Sequence, residues 1–227
     1  MVSLATAAVG DVINANIYII ARVGADPRVE QLAIVVIDAH EELLKALTVR
    51  NGVANGYQMA LARRDTARQQ FEALLVAFGL TAAAKYAGRT AEEYLRLLPK
   101  APSSFAALSE RDLPQAANEL SARILDPKTD PDLAKAGAPV VAAAKAYLVA
   151  ADVLRKSELA LADEQKAVQK AKLACIEGQS KLRGLLTAAF PRQSKLLASF
   201  FPPTKKKAKV VEASLEPKAP EDQPSQS

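Results

Sequence analysis

Apolar residues recur along this chain at alternating steps of three and four, the spacing of one buried face of an α-helix. The pattern is clearest between Pro139 and Pro191, where the 140–177 stretch holds neither Gly nor Pro. Its stripe runs Val141, Ala144, Leu148, Ala151 and Leu154, and resumes at Leu161, Val168, Cys175, Leu182 and Leu186. Asp152 with Lys156 and Glu177 with Lys181 are i,i+4 pairs on the solvent side. At 1.5 Å per residue the uninterrupted stretch is a rod of about 57 Å. Such a rod needs a partner along its length, because an isolated helix is marginal in water.

A second long helix is expected from Arg28 to Phe78, with Leu32, Val36, Leu43, Leu47, Val53, Tyr57, Ala60, Ala67, Phe71, Leu74 and Phe78 facing inward. Asn51-Gly52 and Asn55-Gly56 are turn signals and allow a hairpin breaking near residue 52. The apolar phase passes through both pairs without a slip, which favours one long, locally weakened helix. Shorter elements surround the rods. Asp11 to Val23 reads as a helix with Ile13, Ile17 and Ile20 inward, although its isoleucines leave a strand open. Thr90 and Glu93 fit a capping box for a short helix through Leu98, stopped by Pro99. Leu113 to Leu125 is a further helix with Pro114 in its first turn.

The two halves echo each other. A shift of 104 residues lays Asp26-Pro27 on Asp130-Pro131, Asn14 on Asn118, Ile20 on Ile124, Leu44 on Leu148, Tyr86 on Phe190 and Pro99 on Pro203, without a gap. Identity is otherwise little above what shared composition gives, so chance similarity between two helical halves stays open beside a tandem duplication. The expected fold is all-α: an elongated antiparallel bundle of two long and several short helices over 1–201, with 1–104 and 105–201 as the candidate repeat units.

Composition narrows the picture. Half of the residues are apolar, yet aromatics make up 5% and tryptophan is absent. Alanine is the commonest residue and the best helix former. This favours slim, closely packed helices over a wide core of large side chains. Residues 202–227 differ: rich in proline and lysine and poor in large apolar groups, they are expected to be a disordered tail. The net charge is +5, and its obvious local source is Lys205, Lys206, Lys207 and Lys209. The single cysteine cannot form an intrachain disulfide. The N-terminus has no basic segment of the secretory kind, and no apolar run reaches the roughly 18 residues of a membrane span. A cytoplasmic protein without a transmembrane segment is the expectation.

Candidate chemistry is sparse. His40, the only histidine, opens a His-Glu pair, but Leu44 stands where a zinc helix of that kind has its second histidine. The helical di-iron pattern fails because residue 37 is Ile. Cys175 falls on the apolar stripe and reads as a small core residue. The acid pairs Glu41-Glu42 and Glu92-Glu93 lie on amphipathic helices and read as solvated faces. No glycine cluster forms a phosphate loop. No catalytic residue, cofactor or metal ligand is therefore assigned. The basic groups are the exception. Lys205, Lys206, Lys207 and Lys209, with Arg63, Arg64 and Arg68 on the first rod, form a possible polyanion contact, and Lys166, Lys170 and Lys172 add a patch on the second. The competing reading is a solubilising tail and wet helix faces.

The stretch from Ala189 to Pro203, with Phe190, Ser194, Phe200, Phe201 and Pro202 ahead of the lysines, resembles the ending of uncharacterised alanine-rich bacterial helical proteins. Pro191 and Phe201 stand where that pattern has glycines. The resemblance implies a long-helix bundle and brings no activity with it. The chain is also similar to phasins in its alanine-rich helical body and its Lys-Pro-Ala tail. Three functions follow as expectations: a non-enzymatic scaffold that associates with itself or a protein partner, a non-specific nucleic-acid-binding protein of the nucleoid kind, and a phasin-like granule or surface coat.

Overall fold

The computed structural model describes residues 8–203. They form six α-helices and, among the described residues, no strand. In chain order these are α1 (Val9–Gly24), α2 (Ile34–Lys85), α3 (Glu92–Leu97), α4 (Leu113–Ile124), α5 (Pro131–Ala189) and α6 (Ser194–Ser199). Two 3₁₀ turns, Glu30–Ala33 and Pro102–Phe105, precede α2 and α4. The residues expected to form the tail lie, from Thr204 onward, outside the described residues.

The two rods, α2 and α5, run antiparallel and make the largest contact in the molecule. At one end a Cβ on Gly178 would sit 3.0 Å from the Val35 carbonyl. At the other end Lys85 Nζ lies 3.2 Å from both Asp130 and Asp132. The rods are about 78 and 88 Å long. Asn51-Gly52 and Asn55-Gly56 lie inside continuous helix, because the apolar phase that crosses them is held by α5.

Element boundaries differ from expectation in physically explicable ways. The first rod begins at Ile34, after the Glu30–Ala33 turn, and runs past Phe78 to Lys85. The second begins at Pro131 instead of after Pro139. Asp130 caps it, accepting hydrogen bonds from the Asp132 and Leu133 amides at 3.0 and 3.3 Å. Pro131 fits the first turn, where its missing N–H is no loss. Pro139 is thus accommodated inside the helix, on an exposed position. The Thr90–Glu93 capping box does not form: α3 starts at Glu92 with Ala91 at its N-cap and no side-chain cap.

The face of α1 is also corrected. Val12, Asn16, Ile19 and Val23 are buried, while Ile17 is 54% exposed. The helix is turned by one position relative to the isoleucine stripe, because Asn16 faces inward and accepts a 2.7 Å hydrogen bond from Gln179 Nε2. On α2, Leu75 is buried where Leu74 was expected.

Each end of the antiparallel pair is capped. One lobe packs α3, α4 and the 102–105 turn onto the C-terminal part of α2 and the N-terminal part of α5, around Phe71, Leu75, Phe78, Leu98, Ile124 and Tyr147. The other packs α1, α6 and the 30–33 turn onto the opposite ends of the rods, around Ile19, Val36, Leu182, Leu186, Phe190 and Phe200. Between them is a two-helix waist, in which residues 44–59 of α2 and 148–167 of α5 include no fully buried side chain.

Burial repeats at the same 104-residue offset on the two rods. Val36, Leu43, Arg64, Phe71, Leu75, Phe78 and Ala82 are buried on α2. Val140, Tyr147, Val168, Cys175, Gln179, Leu182 and Leu186 are buried on α5. Two antiparallel helices exchanged in this way are related by an axis normal to their common plane. Both caps therefore lie on one face of the pair, and among the described residues nothing covers the opposite face.

Candidate interaction surfaces

The basic residues expected on the first rod have different surroundings. Arg64 is buried. Its Nε lies 2.8 Å from Asp65, and its Nη1 pairs with Glu110 on the connection leading to α4. Burial works against its charge, and the Glu110 and Asp65 carboxylates outweigh that, so the guanidinium is held above its ordinary value. Arg68 bridges to Glu72 at 2.7 Å and donates to the carbonyl oxygens of Ala106 and Leu108 at 2.9 and 3.3 Å. Both fasten the 102–110 segment onto α2. Arg63 is exposed and makes no ion pair among the described residues. Lys205, Lys206, Lys207 and Lys209 lie outside the described residues. On the second rod, Lys166 pairs with Asp163 at 2.9 Å and Lys172 is buried.

Cys175 is fully buried, its thiol donating to the Ala39 carbonyl at 3.1 Å, and burial pushes that thiol up. His40 is half-buried, with an Nδ1 that has no hydrogen-bond partner. Among the described residues no three His, Cys, Asp or Glu side chains gather as a metal-binding group. The acid pairs Glu41-Glu42 and Glu92-Glu93 are exposed.

A shallow, largely apolar groove lies between the rods, lined by Ala60, Arg63, Ala142, Lys145, Ala146, Val149, Ala150 and Val153. Val149 and Val153 are exposed there. Small side chains keep the groove floor flat, while Arg63 and Lys145 stand at its margins. Sequence reasoning missed it because a single stripe was drawn on α5. A second one, at 142, 146, 149 and 153, was visible at the same helical spacing. The same region explains another difference from expectation. α5 holds an 18-residue window with a mean hydropathy of 1.5, of which 22% is buried. No uninterrupted run produces it; alanines and valines do so around two charges. By length and composition alone α5 is apolar enough to cross a membrane.

No known family, no curated protein and no solved structure matches the chain.

Proposed function

We propose that the chain is a non-enzymatic helical scaffold that self-associates through its long rods. The observation that carries this reading is the uncovered face of the α2–α5 pair, with its apolar groove of Ala60, Ala142, Ala146, Val149, Ala150 and Val153. An antiparallel pair with one bare apolar face is half of a four-helix bundle. The capped ends hold two rods rigidly side by side, which suits a spacer or assembly element. The test is sedimentation over a wide concentration range, together with affinity capture. A concentration-dependent dimer or a stoichiometric partner is expected. A monodisperse monomer with nothing captured would overturn the reading.

A surface coat is the second reading, favoured by the apolar window of α5 that the fold leaves mostly uncovered. It predicts adsorption to hydrophobic particles or vesicles with helix content retained. Failure to bind either removes it. The non-specific nucleic-acid reading rests on Lys205, Lys206, Lys207 and Lys209, since Arg64 and Arg68 are engaged with acids and carbonyls inside the fold. It predicts salt-dependent gel shifts that weaken on truncation at Pro202.

A further inference from the structure

The uncovered face is continuous along α2. From the groove residues Arg63 and Ala60, steps of three and four lead back through Gly56, Gly52, Val49, Lys45 and Glu42 or Glu41 to Asp38, all on one side of the helix. The 104-residue correspondence gives the same placement independently: the groove positions Ala142, Lys145, Val149 and Val153 of α5 fall on Asp38, Glu41, Lys45 and Val49 of α2. The face is therefore polar in the electrostatic sense. Its half beside α4 carries Arg63 and Lys145. Its half beside α1 carries Asp38 and Glu41, with Lys45 and Glu42 paired to each other at 3.8 Å, so that half is net acidic. Arg63, Lys145, Asp38 and Glu41 are exposed and make no ion pair among the described residues.

At the middle of this face stand Gly52 and Gly56. Glycine is among the poorest residues for a helix interior, and neither position needs one for packing within the chain, since an added Cβ would meet nothing within 4 Å. Small residues at the midpoint of a bare helical face permit another helix to approach closely.

We propose that the occupant of this face is a second copy of the chain, docked face to face and antiparallel about a dyad at the Gly52–Gly56 waist. This rests on the self-associating reading and specifies its interface. With the dyad at Gly52, the antiparallel arrangement lays Arg63 of each copy against Glu41 of the other and brings Lys145 toward Asp38. A parallel arrangement would oppose like charges. The stretch from Asp38 to Arg63 is about 38 Å of helix and the pair is about 20 Å wide, so each copy contributes on the order of 750 Å², close to the roughly 800 Å² per partner of a stable interface. The groove margins match the flanking charges, and the valines between them form the apolar centre.

Sedimentation equilibrium of the full chain tests this with three variants, each checked by circular dichroism for retained helix. Arg63→Glu with Lys145→Glu weakens the dimer at least tenfold, because four attractive contacts become repulsive. Adding Asp38→Lys and Glu41→Lys restores it. Gly52→Ala with Gly56→Ala raises the thermal midpoint of the monomer yet weakens the dimer, opposite signs that a purely intramolecular role does not produce. A dimer indifferent to the charge reversal, or not restored by the double swap, overturns this interface and leaves self-association standing. A wild-type chain that stays monomeric at every concentration overturns both.

Discussion

The two lobes occupy equivalent places on the same pair of rods, yet they are filled by different chemistry. In the α4 lobe, Phe71 stacks on Tyr147 with ring centroids 6.3 Å apart and meets Phe105 edge-on, and Leu75 closes the next layer. In the α1 lobe the equivalents of Phe71 and Leu75 are Cys175 and Gln179. Cys175 donates to a main-chain carbonyl, and Gln179 to the fully buried Asn16. Aromatic packing moves instead to the tip, where Phe190 stacks on Phe200 at 5.8 Å. One lobe is thus held by large, fully buried rings at its centre. The other carries a buried amide pair that works in one register only, because an amide shifted by a turn would lose its partner.

The largest expected contrast is at the first of these positions. Phe71→Ala empties a fully buried site and costs about 3–5 kcal/mol, while Cys175→Ala at the equivalent site costs on the order of 1 kcal/mol. Equilibrium urea unfolding of the two variants decides it, and equal losses would show that the lobes do not differ as described.

A second contrast is steric. Gly137 lies where α4 crosses closely: a Cβ there would come within 2.5 Å of Ile124 and 3.1 Å of Phe78. Its equivalent in the other lobe is Ala33, which is buried without difficulty. Gly137→Ala is expected to cost about 1–3 kcal/mol through overpacking, although alanine is the better helix former. A gain in the melting temperature would refute the close crossing.

The amide pair gives a coupling. Gln179→Leu leaves the Asn16 carboxamide buried with no partner at either end, since its Nδ2 already lacks one, and costs about 1–3 kcal/mol. Asn16→Leu with Gln179→Leu recovers most of that loss, because no polar group remains unpaired. Additive losses in the double-mutant cycle would show that the hydrogen bond is not what couples the two residues.

The smallest effect concerns the equivalent aspartates. Lys85 holds the Asp130 carboxyl below its ordinary 3.8, helped by the Leu133 and Asp132 amides. Arg28 does the same for Asp26. A carboxylate lowered in the fold contributes stability that is complete above its unfolded value and fades as pH falls through the folded one. Both therefore stabilise the fold at neutral pH, and that contribution is lost on the acid limb, below about pH 4. Asp130 ties the end of α5 to α2, whereas the Asp26–Arg28 pair is local to one turn. Asp130→Asn should lower the melting midpoint at neutral pH and flatten the acid limb. Asp26→Asn should leave the midpoint nearly unchanged.

These contrasts show where sequence reasoning reached and where it stopped. The three-and-four spacing located both rods, and the unbroken phase across Gly52 and Gly56 correctly argued for a continuous helix. The inward face of α1 was misread because an asparagine between isoleucines looks like a solvent residue. Only Gln179, far away in sequence and brought near by the antiparallel rods, makes Asn16 an interior one. The roles of Arg64 and Arg68 were hidden for the same reason: a run of arginines on one helix looks like a cationic patch until Glu110 and the carbonyls of Ala106 and Leu108 arrive from another segment.

By itself the sequence determined that this chain is helical and that two helices dominate it; the offset of 104 residues between its halves stayed open beside chance until burial on the two rods repeated it. Helix periodicity and alanine-rich composition are local properties, and local properties are written in the chain. Tertiary structure alone decided which face of each rod is covered, because coverage depends on where the short helices return in space. It settled as well that two of three arginines face acids and carbonyls, and that one long face of the pair is bare among the described residues. Burial is a property of the assembled pair, and neither helix carries it alone.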